Sequence, residues 1–237
     1  MQINKLDTMD KRNLFLHEEI MLLALNDKKG TIHSSLNYQM ITAGAIMAEL
    51  LLNGRIELEK SGKKNYIRLK SMKATGDPVM DDCLEKVKKA KRRAQVSTWI
   101  TRFSGVKRMK TRIAQELCKK GILASDEDKV LLIFKRKIYP EVNHLPEKQL
   151  IDRLRNAIFT DEDILDPKTV LLVSIASKTN LLKVIFDRKE LKLRKKRIEK
   201  IVSGDVIGKA TKEAIEAIQA AIMVAVVIPT FVGGAVS

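Results

Sequence analysis

Apolar positions along the chain recur mainly at helical spacing, broken by short alternating stretches. Leu14–Leu25, with Leu16, Ile20 and Leu23 among its apolar residues, predicts a first helix, and Asn26-Asp27-Lys28-Lys29-Gly30 predicts its stop and a turn. Tyr38–Leu52 predicts a second helix. It ends at Asn53-Gly54, where glycine can take the left-handed capping conformation. Arg55–Glu59 and Asn65–Lys70 alternate on either side of Ser61-Gly62-Lys63-Lys64, the pattern of a β-hairpin with one buried face. Asp77-Pro78 opens a third helix, with Asp as N-cap and Pro in the first turn. Its stripe is Met80, Cys83, Leu84, Val87, Ala90 and Ala94, and Lys88, Lys89, Arg92 and Arg93 cover the opposite side.

Beyond Trp99 and a break at Ser104-Gly105, the spacing predicts a fourth helix over Val106–Lys120, with Met109, Ile113 and Leu117 inward. Gly121, an acidic turn at Asp126-Glu127-Asp128 and a strand over Val130–Ile138 follow. The order helix, glycine, strand, turn, strand thus occurs at 38–70 and again at 106–138, a repeat of layout with little shared sequence. A helix from Pro146 turns Leu150, Ile151, Leu154 and Ile158 inward, Thr169–Phe186 reads as buried, and Leu191–Val202 is basic. Lys209–Ile228 is a last helix, wholly apolar after Gln219. These elements predict a mainly α protein, a single helical domain with peripheral β-hairpins. No Pro/Ser-rich linker divides the chain, so 14–237 reads as one domain behind a flexible tail over 1–13.

Charge adds a partner class to this picture. The 237 residues carry 45 Lys+Arg and 29 Asp+Glu, a net charge of +16. Residues 1–60 have a balance of −1, 61–123 of +13 and 124–237 of +4. A polyanion, either an anionic membrane surface or a nucleic acid, is the natural partner of the middle region. At 4% aromatic content the chain is poorly suited to stacking platforms for RNA, and at 45% apolar content it is not a disordered chain. Cys83 and Cys118 alone cannot build a disulfide framework or a structural zinc site. Met1–Arg12 is polar and charged, unlike a signal peptide, so the expectation is a soluble, intracellular protein. Ala220–Ser237 lacks charge and is long enough for a membrane span. Pro229 and Gly233-Gly234 interrupt it, and a core helix with a small-residue tail is the expected outcome.

Signals for catalysis are weak. His17, His33 and His144 are far apart in sequence, and none belongs to a metal-binding motif. There is no GxSxG and no phosphate-binding loop of the GxxxxGK[ST] type. Glu18 and Glu19 point about 100° apart on a helix and do not converge on one bond, so they read as first-turn residues facing the dipole and the solvent. Lys119 and Lys120 could lower the thiol pKa of Cys118, but an ordinary small core residue is the simpler reading. The expectation is a non-enzyme with no catalytic residue, no metal and no cofactor.

Several segments together resemble the Golgi phosphoprotein family, the Golgi phosphoprotein three-like proteins. They are Leu14–Leu25 with Asp27 and Gly30, Gly44–Glu59 (GAIMAELLLNGRIELE), Thr75-Gly76-Asp77 with Asp81 and Leu84, Trp99-Ile100 with Ser104-Gly105, Leu117–Leu123 (LCKKGIL) and Val170–Leu182. The resemblance implies a mostly helical, non-enzymatic protein that docks on membranes by binding phosphatidylinositol 4-phosphate and, in eukaryotic members, supports retention of Golgi glycosyltransferases. A structural or adaptor protein that recognises short cytoplasmic tails of membrane proteins is a further reading that nothing in the residues excludes. The resemblance also implies a cytoplasmic, peripherally membrane-associated protein, at the Golgi if the host is eukaryotic. Self-association through a hairpin is implied as well, with Val130–Val142 as its counterpart. Of the family's lipid-pocket residues, two arginines fall on Lys107 and Lys110, a third on Ala43, and the tryptophan near Ser34 or Ser35. Charge is kept at two positions, while the two-pronged arginine geometry and the aromatic are not.

Without the family, Val106–Lys120 still offers an anion site. On a helix, Lys107 and Lys110 lie about 60° apart on one flank of the apolar stripe, and Arg108 and Arg112 about 40° apart on the other. Their stems can pack while their heads gather at the surface. The sequence therefore assigns Lys107, Arg108, Lys110 and Arg112 to lipid phosphate. The alternative is a nucleic-acid-binding protein that uses two winged-helix-like units and the basic 86–112 region.

Overall fold

A computed structural model describes residues 14–26, 29–62, 64–130 and 134–227. The tail expected over 1–13 and the final ten residues lie outside them. The chain begins with α1 (Leu16–Ala24), a two-residue ribbon of β1 (Leu25–Asn26) and β2 (Thr31–Ile32), and α2 (Tyr38–Leu52). A three-stranded antiparallel sheet follows in the order β3 (Ile56–Ser61), β4 (Lys64–Leu69), β5 (Ala94–Gln95), with α3 (Pro78–Lys88) between β4 and β5. Next come α4 (Val96–Ser104), α5 (Met109–Lys119) and a hairpin of β6 (Asp126–Val130) and β7 (Phe134–Ile138). The rest is α6 (Leu145–Phe159), α7 (Pro167–Lys178), α8 (Leu182–Ile185), α9 (Arg188–Leu193), α10 (Lys195–Val202) and α11 (Lys209–Val227). The fold is mainly α with short β-hairpins, as the pattern predicts.

One hydrophobic core runs from Leu14 to Ile222. α2, with Ala43, Ile46, Met47 and Leu50 buried, packs against α1, α4, α7 and α11. Ala43 is fully buried, so the position aligned with the family's third arginine faces the core rather than a ligand. The α11 residues Ile215, Ile218, Ala221 and Ile222 are buried against α2, α4 and α7, so the first part of the apolar C-terminal run is core. Gln219, buried on the same helix, donates to Ser174 Oγ at 2.6 Å and to the Ile201 carbonyl at 3.2 Å. Among the described residues no helix is long and apolar enough to cross a membrane.

Two glycines carry backbone constraints. Gly54 takes φ +60 directly after α2, the left-handed position predicted at Asn53-Gly54. Gly30 (φ +56) accepts the Tyr139 N–H at 2.9 Å, and a Cβ there would lie 2.8 Å from the Pro140 nitrogen. That close approach ties the turn after α1 to the chain leaving the β6–β7 hairpin.

Beyond residue 88 the structure departs from the sequence reading in four elements. The third helix stops at Lys88 rather than continuing to Ala94, and Ala94 instead pairs with Ile67 in the sheet. Val96–Ser104 is a helix of its own, with Val96, Trp99, Ile100 and Phe103 buried. The fourth helix begins at Met109, leaving Lys107 and Arg108 outside it. The acidic segment 126–128 opens a strand rather than a turn, and Val130–Ile138 is the second half of a hairpin whose register pairs Asp126 with Ile138 and Val130 with Phe134. Within the proposed self-association segment, Tyr139 is buried in the core and Val142 is exposed.

Candidate functional site

Among the described residues two groups of charged side chains stand out, one buried and one at the surface. The buried group starts from α1, which is covered on every side: all nine of its residues are buried, including His17, Glu18 and Glu19. A charged group in such a place must find a partner or become neutral. Each of the three reaches a different part of the fold. His17 Nε2 lies 3.2 Å from Asp77 Oδ2 at the start of α3. Asp77 also caps that helix, its Oδ1 accepting the Met80 N–H at 2.7 Å. Glu18 accepts from Lys120 Nζ at 2.6 Å, just past α5, and from the Phe15 N–H at 2.8 Å. Glu19 meets Arg153 of α6 at 2.8 Å and Lys168 of α7 at 3.4 Å. The first-turn glutamates therefore do not face solvent, as the sequence reading had them, but clamp α1 to three other helices.

Burial works against charge on Asp77 and on Glu19, with opposite net results. Burial opposes ionisation of Asp77, but the hydrogen bond and charge of His17, with the Met80 and Val79 N–H groups, outweigh it and hold the carboxyl below the ordinary range. Burial pushes the Glu19 carboxyl up despite Arg153 and Lys168. The Cys118 thiol is also pushed up by burial rather than lowered by Lys119 and Lys120, and Lys120 is turned toward Glu18. The His17–Asp77 pair, exposed by 0% and 2%, is closed to solvent.

The surface group gathers around α3, α4 and the start of α5. Because the chain turns after Lys88, cations expected on one solvated helix face instead line a cavity of about 680 Å³. Lys86, Lys89, Lys91, Arg92 and Arg102 line it, with Trp99 and the acids Asp82 and Glu85. Both acids are already matched. Glu85 faces Lys88 at 3.6 Å and Lys89 at 3.4 Å, and Asp82 accepts from Arg112 Nη1 at 2.6 Å. The Arg102 guanidinium lies over the Trp99 ring at 4.6 Å, which fixes one cation in place. Arg93 leaves the group, since it stacks on Tyr66 at 4.4 Å and pairs with Glu59 at 2.7 Å.

The four sequence-assigned residues are placed unequally. Lys107 and Arg108 are exposed, pinned between the buried Val106 and Met109. Arg108 is the N-cap of α5 in the left-handed region at φ +55, a conformation that costs a non-glycine residue about 1 kcal/mol. The angular argument that put both on helix flanks does not apply to them. Lys110 is half-buried and already engaged by a neighbour. Arg112 bridges α5 to α3 through Asp82 and the Pro78 carbonyl at 2.8 Å, so its fork is occupied by protein. The sequence reading missed the 86–102 cavity. Its signal was the spacing of Val96, Trp99, Ile100 and Phe103, which marks a separate helix and hence a turn before it.

His144, read as isolated, comes together with Glu141 and Glu147, their ligand atoms all within 4.8 Å, and its Nδ1 lies 2.8 Å from Glu141 Oε2. Arg68 and Lys70, the cations that a nucleic-acid reading would lay along phosphates, each face Glu57 at 4.0 Å.

Comparison with known proteins narrows the reading. Vacuolar protein sorting-associated protein 74 of Schizosaccharomyces pombe is 28% identical over 148 residues, 54% of this chain, and the match spans 43% of that relative's length, less than half. The family model for Golgi phosphoprotein 3 (GPP34) matches residues 16–218, a span that holds both the α1 clamp and the basic cavity. This chain therefore belongs to the Golgi phosphoprotein 3 family.

Proposed function

We propose that this protein is a peripheral membrane adaptor that docks on phosphorylated anionic lipid headgroups, phosphatidylinositol 4-phosphate first among them, and takes part in sorting membrane proteins. The observation that carries the reading is the cavity lined by Lys86, Lys91, Arg92 and Arg102, whose acids are matched from within the fold. Lys107 and Arg108 stand exposed at the start of α5, whose Arg112 is tied to a wall residue of that cavity, and Lys110 belongs to the same segment. Arg112 acts as a brace that neutralises Asp82 and leaves Lys86, Lys91, Arg92, Arg102, Lys107 and Arg108 to the ligand. Each cation held near an anionic surface contributes about 1 kcal/mol, so four to six suffice for reversible docking that weakens with salt. Family membership and the sorting role in the relative's name support the same reading. The nucleic-acid alternative is not favoured by the family match.

Co-sedimentation with phosphatidylcholine vesicles carrying phosphatidylinositol 4-phosphate, against vesicles carrying phosphatidylserine at equal charge, tests it. The expected result is stronger binding to the phosphoinositide, reduced at least fivefold by Lys107→Ala with Lys110→Ala. Equal binding by wild type and variant removes the α5 segment from the site, and no binding to either vesicle removes the function.

A further inference from the structure

Glu141 differs from the buried glutamates of α1 in what meets it. Glu18 and Glu19 are closed off and face Lys120, Arg153 and Lys168. The Glu141 side chain is only 5% exposed, and among the described residues its charged partner is His144, whose Nδ1 lies 2.8 Å from Oε2 and whose side chain is 71% exposed. An imidazole is charged only when protonated, so His144 is not a fixed cation. The other oxygen, Oε1, is buried with no hydrogen-bond partner. A buried polar atom left in this way marks the place of a group that the chain does not supply, a water or an ion.

The backbone sets Glu141 in place. It bridges to Leu123, and the Val142 and Asn143 N–H groups both donate to the Ile122 carbonyl, at 2.9 and 3.2 Å. The chain leaving the β6–β7 hairpin is thereby fixed to the segment after α5. Asn143 Oδ1 then accepts the Leu145 N–H at 3.2 Å, and α6 starts with His144 as its N-cap and Glu147 in its first turn. The spacing Glu-x-x-His-x-x-Glu thus gathers an imidazole nitrogen and two carboxylates, with ligand atoms within 4.8 Å of one another. Bonds of about 2.0–2.2 Å to one ion hold ligand atoms about 3–4.4 Å apart, and a small turn of the exposed His144 ring covers the difference. Glu147 has a neighbour of its own, but a carboxylate offers a second oxygen. One imidazole with two carboxylates suits a first-row transition metal better than magnesium or calcium, which favour oxygen ligands alone. We propose that Glu141, His144 and Glu147 bind one divalent transition-metal ion, zinc first among them, with water completing its shell on the exposed side. The ion ties the base of the hairpin to the start of α6. The proposal does not depend on the α3–α5 surface or on lipid.

Isothermal titration of the full chain with zinc chloride, in a buffer that does not bind zinc, tests it, and cobalt(II) reports the ligand set through its visible spectrum. One ion per chain is expected, bound at least a hundredfold tighter than magnesium or calcium, with the cobalt bands of a nitrogen and oxygen site and no thiolate charge-transfer band. His144→Ala, a change at an exposed side chain, should weaken zinc tenfold or more. Glu141→Gln, which keeps the shape of the buried side chain, should do the same, and Cys118→Ser should leave the affinity unchanged. Zinc should raise the melting temperature of the wild type and not that of His144→Ala. No saturable binding, magnesium bound as tightly, or wild-type affinity in either His144→Ala or Glu141→Gln overturns the proposal. A thiolate band, or loss on changing Cys118, moves the ion to cysteine and overturns it equally.

Discussion

The clamp around α1 and the basic cavity between α3 and α4 use the same side-chain chemistry for opposite ends. In the clamp, His17, Glu18 and Glu19 are buried, and each has a partner on another element: Asp77, Lys120, and Arg153 with Lys168. In the cavity the acids are the ones matched, by Arg112 and Lys89, and the cations remain at the surface. A buried charge that loses its partner keeps its desolvation cost, whereas a surface cation that is removed leaves water behind. Stability and the proposed ligand binding should therefore be separable in this fold. Substitutions in the first region should move the melting transition, and substitutions in the second should move affinity.

The largest expected stability effect is at the clamp. Asp77→Ala removes both the partner of His17 and the cap of α3, and should cost about 3 kcal/mol, read as a lowered midpoint in urea unfolding. Lys120→Ala leaves the buried Glu18 with only the Phe15 N–H, and since Lys120 is itself partly exposed the cost should be smaller, about 1–2 kcal/mol. Asp82→Ala, on the surface, should change stability by no more than about 0.5 kcal/mol. By freeing Arg112 it should also strengthen binding to anionic vesicles. A large loss of stability there would erase the distinction between the regions.

Acid sharpens the same contrast. The Asp77 carboxyl is held below its ordinary value, so its contribution is present above the unfolded pKa, about 3.9, and is lost as pH falls through the folded value. Glu19 is shifted up and contributes in the opposite sense, its part being lost as pH rises through its folded value. Asp77→Asn, which keeps a capping oxygen, should therefore be less stable at neutral pH and flatter in its dependence below about pH 4. Thermal melts at pH 3 and pH 7 measure both.

The clamp and the cavity were legible to different degrees. Tyr38–Leu52 and the Asp77-Pro78 helix start could be read because local signals, apolar spacing and a capping aspartate, decide them. Glu18 and Glu19 were misread because adjacency on a helix says where two side chains diverge, not what covers them. The uniformly apolar Leu14–Leu25 around them was the sign of a helix buried on all sides. The cavity was hidden because no Gly or Pro marks the turn after Lys88. Ala94 enters a strand through its pairing with Ile67, a contact distant in sequence. Lys107 and Arg108 are exposed, but the left-handed Arg108 that keeps both out of α5 has no signature in composition.

The central claim is that exposed cations of the α3–α5 surface bind phosphorylated headgroups while buried charges hold the fold. Its most direct test is the charge-reversed variant Lys107→Glu with Arg108→Glu, melted in solution and assayed in parallel on phosphatidylinositol 4-phosphate vesicles. A melting temperature within about 2 °C of wild type together with vesicle binding reduced at least tenfold is the predicted result. Undiminished binding at an unchanged melting temperature would contradict the account.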